Sequence, residues 1–341
     1  MREDASFAVD RRAFVLGCGV TALVSRAVAG SSPRGLIDVH HHVRPPGAPE
    51  GFARLTAGWS PAGAIADMDR TGVATGIAYP GPILIPGVEA RAARARQFNE
   101  FTADLARAHP GRFGLFASLP FPDVDTTLAE IDYAHSKLAA DGFGIATSYG
   151  EMWLGDARLA PIWERLDALK AVVFVHPHDA ACCAPKTLSY LQPDMDGSWI
   201  DWPMNTARTI FSLMTSGTLR RYPRIRFIFS HGGGVMPLLV KRLANFTRWS
   251  AVGPERMKTL FPNGVEAEFR TLHFECAQAW DQPNFAAIRA LVPESQLLFG
   301  SDYPFFTLDD ATRGFNDLAL APRRHTAMAR ANAARLLPRW A

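Results

Sequence analysis

The chain has 341 residues, of which 48% are hydrophobic and 20% are charged, and its formal net charge is +3. This length and composition predict a globular protein with a large core, and a single α/β barrel accounts for the whole length. The small, evenly spread charge argues against a nucleic-acid partner, which requires a strongly basic surface. The four cysteines lack the spacing of a disulfide framework or a zinc ribbon: Cys18, Cys182, Cys183 and Cys276.

The first 29 residues predict a twin-arginine export signal. Arg11 and Arg12 precede a short apolar run, and the small residues Ala27-Val28-Ala29 stand just before Gly30. This order is that of a signal peptide, so we expect an exported, periplasmic protein. The apolar run is too short and too broken by glycine for a stable membrane span. The alternative is a disordered or helical arm on a cytoplasmic protein.

From residue 30 onward, short apolar strands alternate with amphipathic helices. The first strand covers residues 36–41, and a helix over 61–71 follows, with Ser60 as its N-cap and Gly72 at its end. Further strands are predicted over residues 73–79, 112–119, 142–147, 171–175, 225–229, 271–274 and 296–299, and further main helices over 89–109, 123–140, 161–170 and 204–221. Eight strands alternating with helices predict a (β/α)8 TIM barrel. Since no internal repeat or linker divides it, we expect one catalytic domain over residues 30–341.

Strand 1 runs into three consecutive histidines, His40, His41 and His42. Side chains two residues apart in a strand point the same way, so His40 and His42 project together and His41 faces the opposite side. Two neighbouring imidazoles at the end of a strand provide half of a metal site. The alternative is that these are ordinary hydrogen-bonded or surface histidines.

Three other strands also deliver a histidine or an aspartate at their ends. His176 follows strand 5, His231 follows strand 6, and Asp302 follows strand 8. The carboxyl ends of barrel strands surround one pocket, so we expect these side chains to meet there. His231 would act as proton donor and acceptor beside a metal ion. We predict one divalent ion, with an open position for water or substrate, bound by His40, His42, His176 and Asp302.

The roles assigned to Asp302 and His231 each have an alternative when the residue is considered alone. Asp302 follows a glycine and a serine and could cap the next helix. His231 could simply pack against the glycine turn at residues 232–234. When Asp302 and His231 are considered together with the His-x-His pair at the end of strand 1, the metal site is the favoured interpretation.

Four segments make the chain resemble the amidohydrolase-related decarboxylases, which include aminocarboxymuconate-semialdehyde, 6-methylsalicylate and γ-resorcylate decarboxylases. The segments span nearly the whole chain in order and are IDVHHH (37–42), FVHP (174–177), FSHGGG (229–234) and LFGSDYPF (298–305). GWSP (58–61) and HPGRFG (109–114) are most similar to 6-methylsalicylate decarboxylase-like members. The resemblance implies the same four metal ligands and His231 as catalytic acid/base. It also implies a homodimer in which Arg242 reaches the substrate of the neighbouring subunit.

The first functional hypothesis is a non-oxidative decarboxylase of a hydroxybenzoate-type acid, such as 6-methylsalicylate, or of a related unsaturated acid. A metal ion that binds the carboxylate and phenolate oxygens would fix the ring while its carbon is protonated. The proton could come from Asp302, or from a metal-bound water with His231 as its partner. Arg208 and Arg242 are candidates for the carboxylate contact, and could also be ordinary helix-surface arginines. Three imidazoles and one carboxylate suit Zn²⁺, and Mn²⁺ works in closely similar sites.

The second hypothesis is a mononuclear metal-dependent hydrolase of a lactone, ester or amide. Strand 4 ends in Thr147-Ser148, without the lysine that many two-metal amidohydrolases carry there, which predicts a single ion. The third is a binding protein that kept the barrel and lost catalysis, against which the complete ligand set argues.

Several residues near the strand ends bear on the substrate pocket. Four aromatic side chains either line an apolar pocket or belong to the core: Trp199, Trp202, Phe305 and Phe306. Cys276 departs from the tyrosine-aspartate-threonine-alanine run that the resembling family often has, which predicts a different wall near strand 7. The segment from Asn205 to Arg208 occupies a place where related members often carry an acidic residue.

Overall fold

A computed structural model of the protein describes residues 35–183, 197–246 and 253–341. These residues belong to one compact unit, which begins at Ser32 and ends at Ala341. The predicted export signal over residues 1–29 lies outside the described residues and stays a prediction. No helix in the described ranges is long and apolar enough to cross a membrane.

Eight parallel strands, each paired with the next, form the barrel. The ring closes between its last and first strands, where the Val39 N–H donates to the Phe299 carbonyl (3.0 Å) and the His42 N–H to the Tyr303 carbonyl (2.7 Å). The predicted (β/α)8 barrel is therefore confirmed. The strands are β1 Leu36–His42, β2 Val73–Tyr79, β3 Phe113–Ser118, β4 Gly142–Ala146, β5 Val172–His176, β6 Arg226–Phe229, β7 His273–Glu275 and β8 Leu297–Leu298.

Helices cover the outside of the barrel and follow the strands in sequence. The Ser60 hydroxyl accepts a hydrogen bond from the Gly63 N–H at the start of α2, as expected of an N-cap. The helices are α1 Glu50–Leu55, α2 Pro61–Thr71, α3 Val88–Ala108, α4 Val124–Lys137, α5 Ala160–Ala168, α6 Asp201–Ser216, α7 Thr218–Arg221, α8 Met236–Phe246, α9 Pro254–Leu260, α10 Val265–Phe269, α11 Gln282–Arg289, α12 Leu308–Asp317, α13 Pro322–Thr326 and α14 Asn332–Leu336.

Several predicted boundaries shift by one to three residues in the structure, and two of the differences have a clear physical cause. The predicted strand 271–274 is instead His273–Glu275, because the N–H groups of residues 271 and 272 bond back to the end of α10. The predicted helix 204–221 begins earlier and divides into α6 and α7 at Gly217, whose φ of 77° ends a helix. The first difference matters most, since it places Glu275 at the end of a barrel strand.

A β-bulge in β1 sets the direction of the histidine triplet. Between Asp38 and His41 the strand advances three residues while β2 advances two. Val39 belongs to the interior cluster that contains Phe174, and the His40 ring lies 4.9 Å from the same Phe174 ring. Because of the bulge, side chains at both odd- and even-numbered positions of β1 reach the barrel interior. His41 stacks on Tyr303 at 4.8 Å, away from its two neighbours as predicted.

Asp38 joins β1 to the segment after β8. One oxygen accepts from the backbone N–H groups of His40 (3.1 Å) and Ser301 (3.0 Å). The other accepts from the Ser301 hydroxyl (2.6 Å) and lies 3.0 Å from Nδ1 of His41. Asp38 is fully buried. These bonds fix the end of β1, where two of the predicted metal ligands lie.

We expect Asp38→Ala to lower the free energy of unfolding by about 3–5 kcal/mol, because several buried donors lose their only charged acceptor. Urea denaturation followed by circular dichroism measures this change. Asp69→Ala is the control, since Asp69 is 64% exposed and pairs with Arg112 at the surface. It should cost less than about 1 kcal/mol. Equal effects of the two substitutions would contradict the bracing role of Asp38.

Candidate metal centre

Four side chains from three strand ends meet at the C-terminal face of the barrel. Their ligand atoms lie within 4.8 Å of one another, and all four residues are buried: His40, His42, His176 and Asp302. Nε2 of His40 lies 3.0 Å from Nε2 of His42. Oδ1 of Asp302 lies 3.1 Å and 3.2 Å from these two nitrogens. The structure thus brings together the four residues that the sequence predicts as metal ligands.

The second ring nitrogen of each histidine is held by an acceptor. Nδ1 of His40 lies 2.7 Å from Oε1 of Glu275. Nδ1 of His42 lies 3.1 Å from the Tyr79 carbonyl, and Nδ1 of His176 lies 2.7 Å from the Pro177 carbonyl. A carbonyl or carboxylate partner assigns the proton to Nδ1. When neutral, all three imidazoles therefore turn an Nε2 lone pair towards the same point.

Two buried atoms of this cluster make no hydrogen bond, Nε2 of His176 and Oδ1 of Asp302. A buried polar atom without a partner is costly, and a metal ion would satisfy both. Four ligand atoms about 2.1 Å from a tetrahedral ion lie about 3.4 Å apart. The separations among the His40, His42 and Asp302 atoms, 3.0–3.2 Å, are close to this value, and all four ligand atoms lie within 4.8 Å of one another. The residues therefore fit a divalent metal ion.

His231 lies beside the four and contacts the second oxygen of Asp302. Its Nε2 is 3.3 Å from Oδ2 of Asp302, and the same oxygen accepts a hydrogen bond from Nε2 of Gln278 at 2.6 Å. Asp302 therefore faces the other ligands with Oδ1 and faces His231 with Oδ2. Sequence reasoning did not find Gln278, because its position depends on the turn after β7.

The three residues of this contact have an unusual backbone. His231, Gln278 and Asp302 are in the left-handed region, with φ of 54°, 57° and 62°. For residues other than glycine this costs roughly 1–3 kcal/mol, and such residues concentrate at functional sites. Backbone hydrogen bonds hold two of them, from the Asp302 N–H to the His40 carbonyl (2.9 Å) and from the His231 N–H to Glu275 (2.8 Å).

The charges of the site shift several pKa values in the metal-free protein. Burial alone would lower the pKa of His40, but the carboxylates of Asp302 and Glu275 raise it to about 10. Burial and the neighbouring imidazoles hold the pKa of His176 well below its usual range. Burial would raise the pKa of Asp302, yet the charge of His40 and the close imidazoles of His231, His40 and His42 hold it well below its usual range.

Metal binding should therefore release a proton from His40. Because the pKa of His40 is about 10, its imidazolium competes with the ion at neutral pH, and raising the pH removes the competitor. We expect metal affinity to rise about tenfold per pH unit between about pH 6.5 and 8.5. Competition with a chelator at three pH values measures this, and calorimetry in two buffers counts the protons. A pH-independent affinity would contradict it.

Glu275 is a buried carboxylate that the sequence did not single out. Its Oε1 accepts from the His231 N–H at 2.8 Å as well as contacting His40, and Oε2 accepts from the Ala277 N–H at 2.6 Å. Glu275, His40 and His231 lie close enough to form a second ligand set, but these hydrogen bonds already occupy both oxygens. Glu275 therefore braces His40. A Cβ at residue 300 would lie 2.1 Å from Oε2, which explains Gly300.

We expect Glu275→Gln to weaken metal binding by about 10–100-fold while preserving the shape of the side chain. The amide can no longer accept a strong hydrogen bond from His40 while satisfying both backbone N–H groups. Glu268→Gln is the matched control, since Glu268 is also buried but pairs with Arg220. Chelator competition on the two purified variants compares them. Equal affinities would show that Glu275 does not orient the ligand.

A cavity of about 1110 Å³ opens above the ligand cluster. Phe305 packs edge-on against the His42 ring at 5.2 Å, and Trp202 against the His176 ring at 5.8 Å. All four aromatic residues proposed for the pocket line this cavity: Trp199, Trp202, Phe305 and Phe306. Cys276 is fully buried beside Glu275, so it belongs to the protein interior.

The structure does not place Arg208 and Arg242 in this cavity. They extend from α6 and α8 and line a second cavity of about 860 Å³ on the outside of the barrel. Nη1 of Arg208 donates to Oδ1 of Asn205 at 2.6 Å, and Asn205 in turn donates to the His178 carbonyl at 2.9 Å. Among the described lining residues of the large cavity there is no arginine or lysine. Within a single chain, neither arginine therefore lines the cavity above the metal ligands, and a contact of either one with substrate stays a prediction.

The fold and the site define a (β/α)8 enzyme with a His₃Asp metal site. The amidohydrolase family matches residues 37–339, and the chain belongs to it. Decarboxylase yanB of Aspergillus niger is 33% identical over 328 residues, which cover 89% of this chain and 88% of the relative. A 6-methylsalicylic acid decarboxylase of Penicillium expansum is 34% identical over 284 residues, which cover 79% and 84%.

A solved structure shares the fold. The dihydroxybenzoic acid decarboxylase from Polaromonas sp. JS666, with bound manganese and the inhibitor 2-nitroresorcinol, has a TM-score of 0.74 and 20% identity. The match covers 89% of this chain and 97% of that one. The relatives in sequence are named decarboxylases, which confirms the predicted decarboxylase family and favours a carboxy-lyase over the hydrolase alternative.

Proposed function

We propose that the protein is a metal-dependent decarboxylase that releases CO₂ from a hydroxybenzoate-type acid such as 6-methylsalicylate. The observation that carries the proposal is the contact between Nε2 of His231 and Oδ2 of Asp302, at 3.3 Å, beside the metal ligands. His231 lines an apolar cavity that is wide enough for an aromatic ring, so a proton donor at this position would be within reach of the substrate. The names of the relatives support the same reaction.

The chemistry of the substrate explains the need for such a donor. Breaking the bond from an arene to its carboxylate would leave a pair of electrons on the ring carbon. If that carbon is protonated first, the electrons of the breaking bond restore the aromatic ring and CO₂ leaves. An ortho hydroxyl makes the carbon electron-rich enough to accept the proton. The enzyme must therefore hold the ring still and deliver one proton to one carbon.

Different residues of the site would hold the ring and deliver the proton. A divalent ion bound by His40, His42, His176 and Asp302 would hold the carboxylate and phenolate oxygens together and act as a Lewis acid. Oδ2 of Asp302 accepts from Gln278 and so faces His231 as an acceptor. Nε2 of His231 is then the group that carries the transferable proton. The aromatic walls exclude water from the ring.

The metal, the assembly and the location belong to the same proposal. We propose Zn²⁺ as the ion, because three imidazoles and one carboxylate suit it, with Mn²⁺ as the alternative on the example of the Polaromonas enzyme. We propose a homodimer in which Arg242 serves the neighbouring subunit, since it does not line the cavity of its own chain. Export by a twin-arginine signal stays part of the proposal.

Mass spectrometry of two substrate panels tests the reaction with the metal-loaded protein. One panel contains ortho-hydroxybenzoates, including 6-methylsalicylate, and the other contains small lactones, esters and amides. Loss of CO₂ in the first panel, with one deuterium on the ring when the reaction runs in D₂O, would support the proposal. Addition of water in the second panel without CO₂ loss in the first would overturn it in favour of a hydrolase.

A further inference from the structure

The cavity above the metal ligands is far larger than a hydroxybenzoate requires. Its volume is about 1110 Å³, whereas a cavity of about 150 Å³ is enough to enclose a benzene ring. A carboxylate, a hydroxyl and a methyl group add little to the ring. Most of the cavity would therefore stay empty of substrate if 6-methylsalicylate were the largest compound it accepts.

The surplus space is lined by apolar side chains that are exposed to water. Seven large hydrophobic side chains are exposed in the described part of the chain. Five of these line this one cavity, with exposed fractions between 45% and 70%, and we call them the apolar collar: Leu55, Leu84, Trp199, Leu238 and Phe306. Scattered exposed apolar residues are ordinary, but a concentration of them at one cavity indicates an apolar ligand.

A continuous apolar wall joins the metal ligands to the collar. Phe305 and Trp202 are half-buried and contact the rings of His42 and His176. Phe52 packs against Phe305 at 5.3 Å and belongs to α1, the helix that ends at Leu55 of the collar. Exposure increases along this path, from buried ligands through half-buried aromatics to the exposed collar.

The charges of the wall argue against a charged substituent. No arginine or lysine is among the described residues that line the cavity. Beyond the metal ligands, the carboxylate in the wall is that of Asp179, which accepts a hydrogen bond from the Trp202 indole at 2.8 Å. An anionic tail would find no cation here and would lose its hydration. The collar instead suits a chain of methylene groups.

We infer that the substrate class of this enzyme is hydroxybenzoates that carry a long alkyl substituent, whose chain lies against the apolar collar. The inference rests on the proposed function, in which an ion bound by the metal ligands would hold the carboxylate end of the ring. The substituent then extends along Phe305 and Phe52 towards the mouth. When the alkyl chain covers the collar, apolar surface of both the substrate and the protein is removed from water. This provides binding energy that the methyl compound lacks.

A homologous series of substrates tests the inference. CO₂ release is measured with the metal-loaded full chain on 2-hydroxy-6-alkylbenzoates whose chains lengthen from methyl to heptyl. We expect kcat/KM to rise about fourfold for each methylene that the collar buries. The double variant Leu55→Ser/Leu238→Ser should flatten this dependence on chain length. Phe211→Ser, which changes an exposed apolar side chain outside this cavity, should preserve it.

The outcomes separate the inference from the function on which it rests. CO₂ release from the methyl compound with a kcat/KM that stays level or falls along the series would overturn the inference alone. No CO₂ release from any member would overturn the proposed function and the substrate class together. If the double variant alters the sedimentation of the protein but not its chain-length dependence, a second copy covers the collar and the inference is wrong.

Discussion

The variant His176→Ala should lose its metal ion and, with it, at least about a thousandfold of activity, since several kcal/mol of Lewis-acid stabilisation disappear. Nε2 of His176 is buried and has no other partner, so the imidazole contributes to the site and to no further hydrogen bond through this atom. Removing it leaves three ligands. Metal content per chain after dialysis and the rate of CO₂ release are the two measurements.

His178→Ala is the matched control for this experiment. It removes an imidazole from the same loop and the same cavity wall, but its Nε2 bonds to the Ser148 carbonyl at 2.7 Å and is no ligand. This variant should retain one ion per chain. Circular dichroism establishes that both variants are folded. If His176→Ala keeps its ion at the affinity of the unaltered protein, the site assigned here is wrong.

The second large effect is expected for His231→Asn, which should lower kcat by about 10²–10⁴-fold while the metal ion stays bound. The side chain of His231 contacts Oδ2 of Asp302 but contributes no atom to the cluster of four ligands. The variant therefore separates proton transfer from metal binding. Single-turnover CO₂ release and metal analysis of the same sample measure both properties.

The control is His135→Asn, which replaces an exposed histidine in the last turn of α4. Its kcat should equal that of the unaltered protein within error. A His231→Asn variant that retains full activity would exclude His231 as the acid. Loss of metal from that variant would instead mean that His231 supports the ligand cluster, and the assignment of roles would have to change.

The barrel and the ligand cluster could be predicted because both follow from local patterns. An apolar strand that ends in a histidine or aspartate shows its chemistry within a few residues, and the parallel barrel brings such ends to one face. His40, His176 and Asp302 are separated widely in sequence, yet each lies within a few residues of the end of its strand. Knowledge of the fold was therefore enough to bring them together.

The supporting residues could not be predicted, because they depend on geometry between distant segments. Glu275 follows an apolar residue in a short strand. Nothing in the local sequence shows that its carboxylate reaches His40 on β1, across the junction where the last and first strands close the barrel. A carboxylate at the end of a barrel strand was the available signal. Likewise, an arginine on a helix carries no indication of which cavity it faces, and Arg208 and Arg242 face outward.

The ligand cluster has a consequence for the biosynthesis of the protein. His40 and His42 lie on the first strand of the barrel and Asp302 follows the last, so the carboxylate ligand leaves the ribosome long after the first imidazoles. A nascent chain can offer the ion only part of its final coordination until the eighth strand closes the ring. We therefore expect metal uptake to be a late event that follows closure of the barrel, and truncated chains should fail to retain the ion.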